Sequence, residues 1–341
     1  MKKILLATVA TLTLTAAASA QEVTLRVHHF LSADAPIHVG VLQPWEKLVE
    51  EQSGGRIDVQ LFPSMQLGGK PPQLFDQARD GIVDVSWTLL GYTPGRFPIS
   101  EVFELPFLSG TATETTAALQ EFQVKYLADE LGEVHPLMLH APASYKFHMR
   151  DKPVAAMADL KGLKVRAPSR TMTDGLAALG ATAVGMPVPE VTQSITTGVI
   201  DGAVIPWEVF GSLRLEEVTK EHTEFGRENG GLSTSVMALV MNKAKYDSLP
   251  DDLKKVIDDN SGATLAALAG QVLDEAETAE RQKAIDAGAN ITVISEDQLG
   301  EWKDASQPVI DNWIKAMTDS GHDGQAIVDD ARAMLTKAQG E

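Results

Sequence analysis

The chain contains no cysteine. That absence excludes disulfides, thiolate nucleophiles and cysteine-ligated metals, together with the lipid-acceptor cysteine of a lipoprotein. Positive charge is scarce too: 29 Lys and Arg stand against 47 Asp and Glu, a formal net charge of −18 at pH 7. So acidic a chain is poorly suited to nucleic acid or anionic membrane surfaces. An anionic ligand would have to be drawn in by local arginines against that background. Aromatic residues make up only 6% of the chain, with 5 Trp and 4 Tyr. After the N-terminal stretch no segment reaches the about 18 apolar residues of a membrane span. What remains is the composition of an ordinary folded protein, 44% hydrophobic and 22% charged over 341 residues. At about 150 residues per domain, that length predicts roughly two domains.

The N-terminus predicts export. Met1-Lys2-Lys3 is a short basic start, residues 4–18 are apolar or small, and Ala18-Ser19-Ala20 precedes Gln21 as a cleavage signal. With no cysteine available for lipidation, the expected location is the periplasm of a Gram-negative cell, free of a lipid anchor.

Val23-Thr24-Leu25-Arg26-Val27 and Ile57-Asp58-Val59-Gln60-Leu61 alternate apolar and polar residues, as half-buried strands do. Between them, residues 36–52 space Val41, Trp45, Leu48 and Val49 for a helix, ended at Ser53-Gly54-Gly55. Strand, helix, strand predicts a parallel α/β sheet. Further strands are expected over 82–87, 134–139 and 236–241, and a long helical pattern runs over 251–287. Two segments echo each other: Gln77-Ala78-Arg79-Asp80-Gly81-Ile82-Val83-Asp84-Val85 and Ser194-Ile195-Thr196-Thr197-Gly198-Val199-Ile200-Asp201-Gly202. Each is a helix end with a C-terminal glycine, two β-branched residues and an aspartate leading into a strand. Two α/β domains presenting similar strand ends would enclose a cleft.

Catalytic signatures are missing. His28, His29 and His38 lack the spacing of a zinc helix, and Gly68-Gly69-Lys70 is followed by Pro71 where a phosphate loop needs Ser or Thr. There is no nucleophile elbow and no dinucleotide turn. No enzyme activity, cofactor or metal is expected.

Asp159-Leu160-Lys161-Gly162-Leu163-Lys164-Val165-Arg166-Ala167-Pro168-Ser169 reads as a turn and a short strand with Arg166 at its carboxyl end. In open α/β sheets ligands bind at that end, and the guanidinium fork matches a carboxylate. On this segment alone, a surface arginine that merely ends a strand is the more ordinary reading.

This stretch closely resembles one found in the solute-binding subunits of tripartite ATP-independent periplasmic (TRAP) transporters, the DctP-like family. The resemblance continues through Gln66-Leu67-Gly68-Gly69, the run Arg79 to Asp84, Met186-Pro187, Glu190-Val191, the run Gly198 to Gly202, Asn242-Lys243 and Ser248-Leu249-Pro250. It runs in order over nearly the whole mature chain. The resemblance implies a two-lobe periplasmic binding protein fold of class α/β, a ligand cleft between the lobes and a long helix spanning both. It also implies an arginine, here Arg166, paired with the ligand's carboxylate, and a membrane permease as partner. The expected division is a signal over 1–20, a first lobe of 21–145 with about 231–250, and a second of 146–230 with about 251–341.

Two departures bear on the ligand. A Gln-Glu-Asn-Pro run of many relatives is here Ala203-Val204-Ile205-Pro206, followed by Trp207, and Tyr145 aligns where relatives that bind polar acids often have a second arginine. One carboxylate clamp with apolar surroundings implies a monocarboxylate with an aromatic or apolar body. Trp87 and Trp207 are expected to contact it from opposite lobes, with Phe30, Tyr92, Tyr145 and Glu208 as further candidates. Core packing is an equal reading for Trp87 and Tyr92. A betaine or sulfonium zwitterion held by two tryptophans and Glu208, a small hydroxy or keto acid, a periplasmic enzyme and a sensor partner are the alternatives.

Overall fold

The computed structural model describes residues 21–226 and 231–340, so the candidate export signal lies outside the described residues. Strand β1 (Val23–His29) buries Leu25 and Val27 through its alternation. Helix α1 (Gln43–Gln52) carries the chain to β2 (Ile57–Phe62), and α2 (Leu74–Arg79) carries it to β3 (Val85–Leu89). Both strands pair parallel with β1, Ile57 opposite Val23 and Val85 opposite Val27. Helix α3 (Ala112–Tyr126), opened by a Thr111–Glu114 capping box, leads to β4 (Val134–His140).

The chain then crosses to a second sheet. It lays down β5 (Lys146–Met149), β6 (Lys164–Ala167), α4 (Arg170–Ala178), β7 (Thr182–Gly185), α5 (Val191–Thr196), β8 (Gly202–Ile205) and β9 (Glu221–Glu224). It returns as β10 (Met237–Asn242), followed by α6 (Lys243–Asp247), α7 (Asp251–Asp259), α8 (Gly262–Asp286), β11 (Asn290–Val293), α9 (Glu296–Asp319) and α10 (Gly324–Ala338). The sheet orders are β2-β1-β3-β10-β4 and β11-β9-β5-β8-β6-β7. Apart from β11, which the first sheet lacks, they correspond strand for strand. β2, β1 and β3 match β7, β6 and β8, and each parallel trio is completed by an antiparallel strand, β10 in one lobe and β5 in the other.

The sequence echo has a physical origin in this correspondence. Gly81 and Gly198 share the same left-handed φ of 72°, open to glycine at little cost. The turn each makes delivers an aspartate to the neighbouring strand. Asp84 accepts the Arg26 backbone N–H at 2.9 Å, and Asp201 accepts the Lys164 backbone N–H at 2.8 Å. Each pins the helix–strand unit to the middle strand of its own parallel trio, β1 or β6.

The two-lobe α/β architecture is as expected, and α8 packs on α3 and β4 of the first lobe and on the turn Trp207–Val209 of the second. Three details differ. The short strands β5 and β9 carry no alternation long enough to announce them. The helical pattern over 251–287 is two helices, broken where Gly262 takes φ +63°. The C-terminal segment also does not belong wholly to the second lobe. α7 packs on α1 and α10 packs on α3, because their apolar stripes complete the first lobe's cores. α9 serves both lobes: Leu299 and Trp302 join the core of Phe147 and Phe225, while Ile310, Trp313 and Met317 join that of Phe103 and Phe122. Among the described residues no helix is long and apolar enough to cross a membrane.

The lobes are in contact along one seam. Arg170, the first residue of α4, pairs with Glu101 at 2.6 Å, and the Tyr92 hydroxyl accepts the Val188 N–H at 2.9 Å. Gly91 lies so close to α4's capping residue that a Cβ there would stand 2.7 Å from the Ser169 Cβ. Beside it, Glu104 is buried with Oε2 unpartnered, and burial pushes its carboxyl up to about 8.

Asp84→Ala removes the acceptor of a half-buried N–H and is expected to cost about 1–3 kcal/mol. Asp201→Ala, at an exposed N–H, should cost less; urea unfolding of both variants checks the ranking. Glu104 gives a pH signature. Between the ordinary carboxylate range near 4.3 and about 8, the folded chain holds a proton that the unfolded chain has lost. Its contribution to stability therefore falls as pH rises through that window and adds no slope above it. Glu104→Gln is expected to flatten the decline of the thermal midpoint between pH 5 and pH 8 relative to the wild-type chain.

Candidate functional site

Arg166 is the second-last residue of β6 and is 2% exposed. Its Nε donates to the Met186 carbonyl at 2.9 Å and its Nη1 to the Val204 carbonyl at 3.3 Å, while Nη2 has no partner. The carbonyls come from the chain after β7 and from β8, so the sheet itself orients the guanidinium plane. Among the described residues no carboxylate pairs with it. Arg170 and Arg281, by contrast, pair with Glu101 and Glu224. A buried cation without a counter-charge is costly, and its free donor edge is a seat for an anion.

A cavity of about 50 Å³ adjoins it, several times the about 10–15 Å³ that one water needs. The first lobe supplies a wall of rings. Phe30 stacks on Trp87 at 4.9 Å and 27°, Tyr92 lies 5.5 Å from Phe30, and Trp87 stacks on His140 at 6.0 Å and 17°. The second lobe supplies Arg166, Val188, Ile205, Pro206, Glu208 and Val209. The Tyr92 and Tyr145 hydroxyls lie beside Arg166, and burial raises both above the ordinary tyrosine value, so both keep their protons.

Burial biases two polar groups in the lining toward their neutral forms. The Trp87 indole N–H donates to His140 Nε2 at 2.9 Å. Burial holds the imidazole down at about 3, so His140 is neutral and its proton sits on Nδ1. Glu208 is 5% exposed and accepts the Ala143 N–H at 3.4 Å. Burial, followed by the nearby Glu277, pushes its carboxyl well above the ordinary range.

Of the residues singled out from the sequence, Phe30, Trp87, Tyr92, Tyr145, Arg166 and Glu208 all line this cavity. Trp207 does not. Its turn sends Glu208 and Val209 to the cavity and the indole into the second lobe, fully buried against His148 at 4.5 Å and Phe210 at 4.9 Å. There its N–H finds Glu224 at 2.7 Å, a partner the apolar side of the ligand cavity does not offer. It lines a second cavity of about 350 Å³ beside α8, where Lys146 pairs with Glu277 and Arg281 with Glu224. His140 was missed by the sequence reading. β4 runs in the same direction as β3, since both oppose β10, so the strand-end rule that singled out Arg166 also applies to the last residue of β4. His29 and His38 bond to each other at 2.9 Å, and no group of three metal-binding side chains occurs among the described residues.

Residues 27–316 match the family model of bacterial extracellular solute-binding protein, family 7, DctP. The crystal structure of a marine metagenome TRAP solute binding protein specific for aromatic acid ligands, with co-crystallised 3-hydroxybenzoate, superposes with a TM-score of 0.91 at 45% identity, covering 94% of this chain and 99% of that one. A TRAP solute binding protein from Rhodoferax ferrireducens T118, with copurified benzoate, gives 0.91 at 41% identity, covering 93% and 98%. The C4-dicarboxylate-binding periplasmic protein DctP of Rhodobacter capsulatus is 25% identical over 309 residues, 89% of this chain and 90% of that one. The chain therefore belongs to the DctP family of extracellular solute-binding proteins, the binding subunits of TRAP transporters.

Proposed function

We propose that this protein captures an aromatic monocarboxylate in the periplasm and presents it to a TRAP membrane permease. The observation that carries the reading is Arg166, buried without a counter-charge beside a wall of stacked rings. The carboxylate takes the free edge of the guanidinium and the ring lies against Trp87 and Phe30. Charge-assisted pairing is strong and directional in so dry a site, and the aromatic face adds contact area at low entropic cost. The relatives at 45% and 41% identity hold 3-hydroxybenzoate and benzoate, both flat monocarboxylates.

The competing ligands find less support. A betaine needs an anion or a box of rings for its cation. Burial favours the neutral form of Glu208, and Trp207 is turned out of the cavity. A dicarboxylate needs a second cation, and Arg166 is the only arginine or lysine among the lining residues described. The ligand leaves unchanged: the buried His140 is held too low to act as a base near neutral pH. Residues 1–20 are read as an export leader removed before Gln21. Docking to the permease follows lobe closure, since the seam exists only when the lobes meet.

Calorimetric titration with benzoate, glycine betaine and succinate tests this. Benzoate is expected to bind the wild-type chain, and Arg166→Ala is expected to weaken it at least about 30-fold, the effect of removing one partner of a buried charge pair. Tight betaine binding, or benzoate binding indifferent to Arg166→Ala, would overturn the assignment. Gly91→Ala should weaken benzoate about tenfold or more by obstructing the seam at Ser169, and because the added Cβ would also stand 2.9 Å from Glu104 Oε1 within the first lobe, the thermal midpoint of the unliganded chain should fall as well.

A further inference from the structure

We propose that His140 and Glu208 form a second polar pole of the cavity that reads a hydroxyl group on the ligand's ring, so that the protein prefers hydroxylated aromatic acids to the unsubstituted acid. This rests on the aromatic-acid reading above and names the subclass and the residues that select it.

The carboxylate end is complete without these residues, because Arg166, Tyr92 and Tyr145 stand together there. His140 is fully buried and lines the cavity, its Nε2 is occupied by the Trp87 indole, and its Nδ1–H makes no well-formed hydrogen bond, with only the Ala141 backbone beside it. Glu208 lines the same cavity and contacts the segment that follows His140 through the long bond from the Ala143 N–H. Its backbone is held as well, since its own N–H donates to Glu277 at 3.0 Å. A protonated carboxyl both donates and accepts.

These two groups are chemically matched to a phenolic hydroxyl. A hydroxyl offers one proton and two lone pairs, so it accepts from His140 Nδ1–H while exchanging a hydrogen bond with the Glu208 carboxyl. An unsubstituted ring leaves the His140 donor buried and unpaired, which is the state that disfavours a ligand most. A methyl or methoxy group of similar size cannot repair it fully, having no proton for the carboxyl. An ionised Glu208 would repel the ligand carboxylate; held neutral, it serves as a hydrogen-bonding group instead. The rest of the wall is Phe30, Trp87, Ile205 and Val209, so few other polar partners compete for the hydroxyl.

The test is a ligand series on the mature chain by calorimetry: benzoate, 3-hydroxybenzoate, 4-hydroxybenzoate, 3-methylbenzoate and 3-methoxybenzoate. At least one hydroxybenzoate is expected to bind about tenfold or more tighter than benzoate, with the methyl and methoxy analogues losing that gain. Glu208→Gln keeps a neutral donor and acceptor and is expected to retain the preference. Glu208→Leu is expected to lose more affinity for the hydroxybenzoate than for benzoate, collapsing the ratio. The ligand series on the unaltered chain decides the matter even if Glu208→Leu fails to fold. Equal binding of benzoate and both hydroxybenzoates, or an undiminished ratio in Glu208→Leu, overturns this proposal and leaves the aromatic-acid reading standing. Failure of every aromatic acid to bind overturns both.

Discussion

The structure is arranged around a guanidinium that the protein itself does not neutralise. Arg166 is nearly inaccessible, its orientation is set by two backbone carbonyls, its Nη2 has no partner, and the residue lines a cavity. Each of these facts depends on the sheet. The carbonyls belong to the chain flanking the same strand, so the sheet cannot form without aiming the charge. Burying a cation without a counter-charge is costly, and in the function proposed here the ligand's carboxylate offsets that cost.

The two lobes solve complementary parts of the problem. The first gives rings in mutual contact and a seam of residues that meet the second lobe; the second gives the charge and most of the aliphatic floor. Specificity is therefore a property of the closed arrangement, and the neutral Glu208 and His140 show how acidic and basic side chains are made into plain hydrogen-bonding groups by removing water from around them.

Much of this was legible in the sequence, for identifiable reasons. β1 and β2 alternate cleanly, so their existence and pairing followed from periodicity. The echo around Gly81 and Gly198 was visible because both lobes need the same backbone turn to deliver an aspartate to the next strand. Arg166 was visible because a strand end followed by proline is where ligands meet such sheets. What escaped notice lacked a local signal. β5 and β9 are four-residue strands defined by partners far along the chain. Trp207 was misplaced because which way a side chain leaves a tight turn is decided by the space and partners on each side, here Glu224 and His148. His140 carried the same strand-end signal as Arg166, but the reading of β4 stopped one residue short.

The exchange of β5 and β10 between the sheets governs how the molecule comes into being. The first sheet lacks the strand that joins β3 to β4 until the chain has reached Asn242, after nearly all of the second sheet has been laid down. A chain emerging from its N-terminus thus cannot finish one lobe and then begin the other. Truncation anywhere before β10 leaves two unpaired edges in the first sheet, a state prone to wrong partners. Completion waits on contacts between distant positions, a slow class of folding event. The same exchange that makes the cleft also keeps the chain unfinished until late.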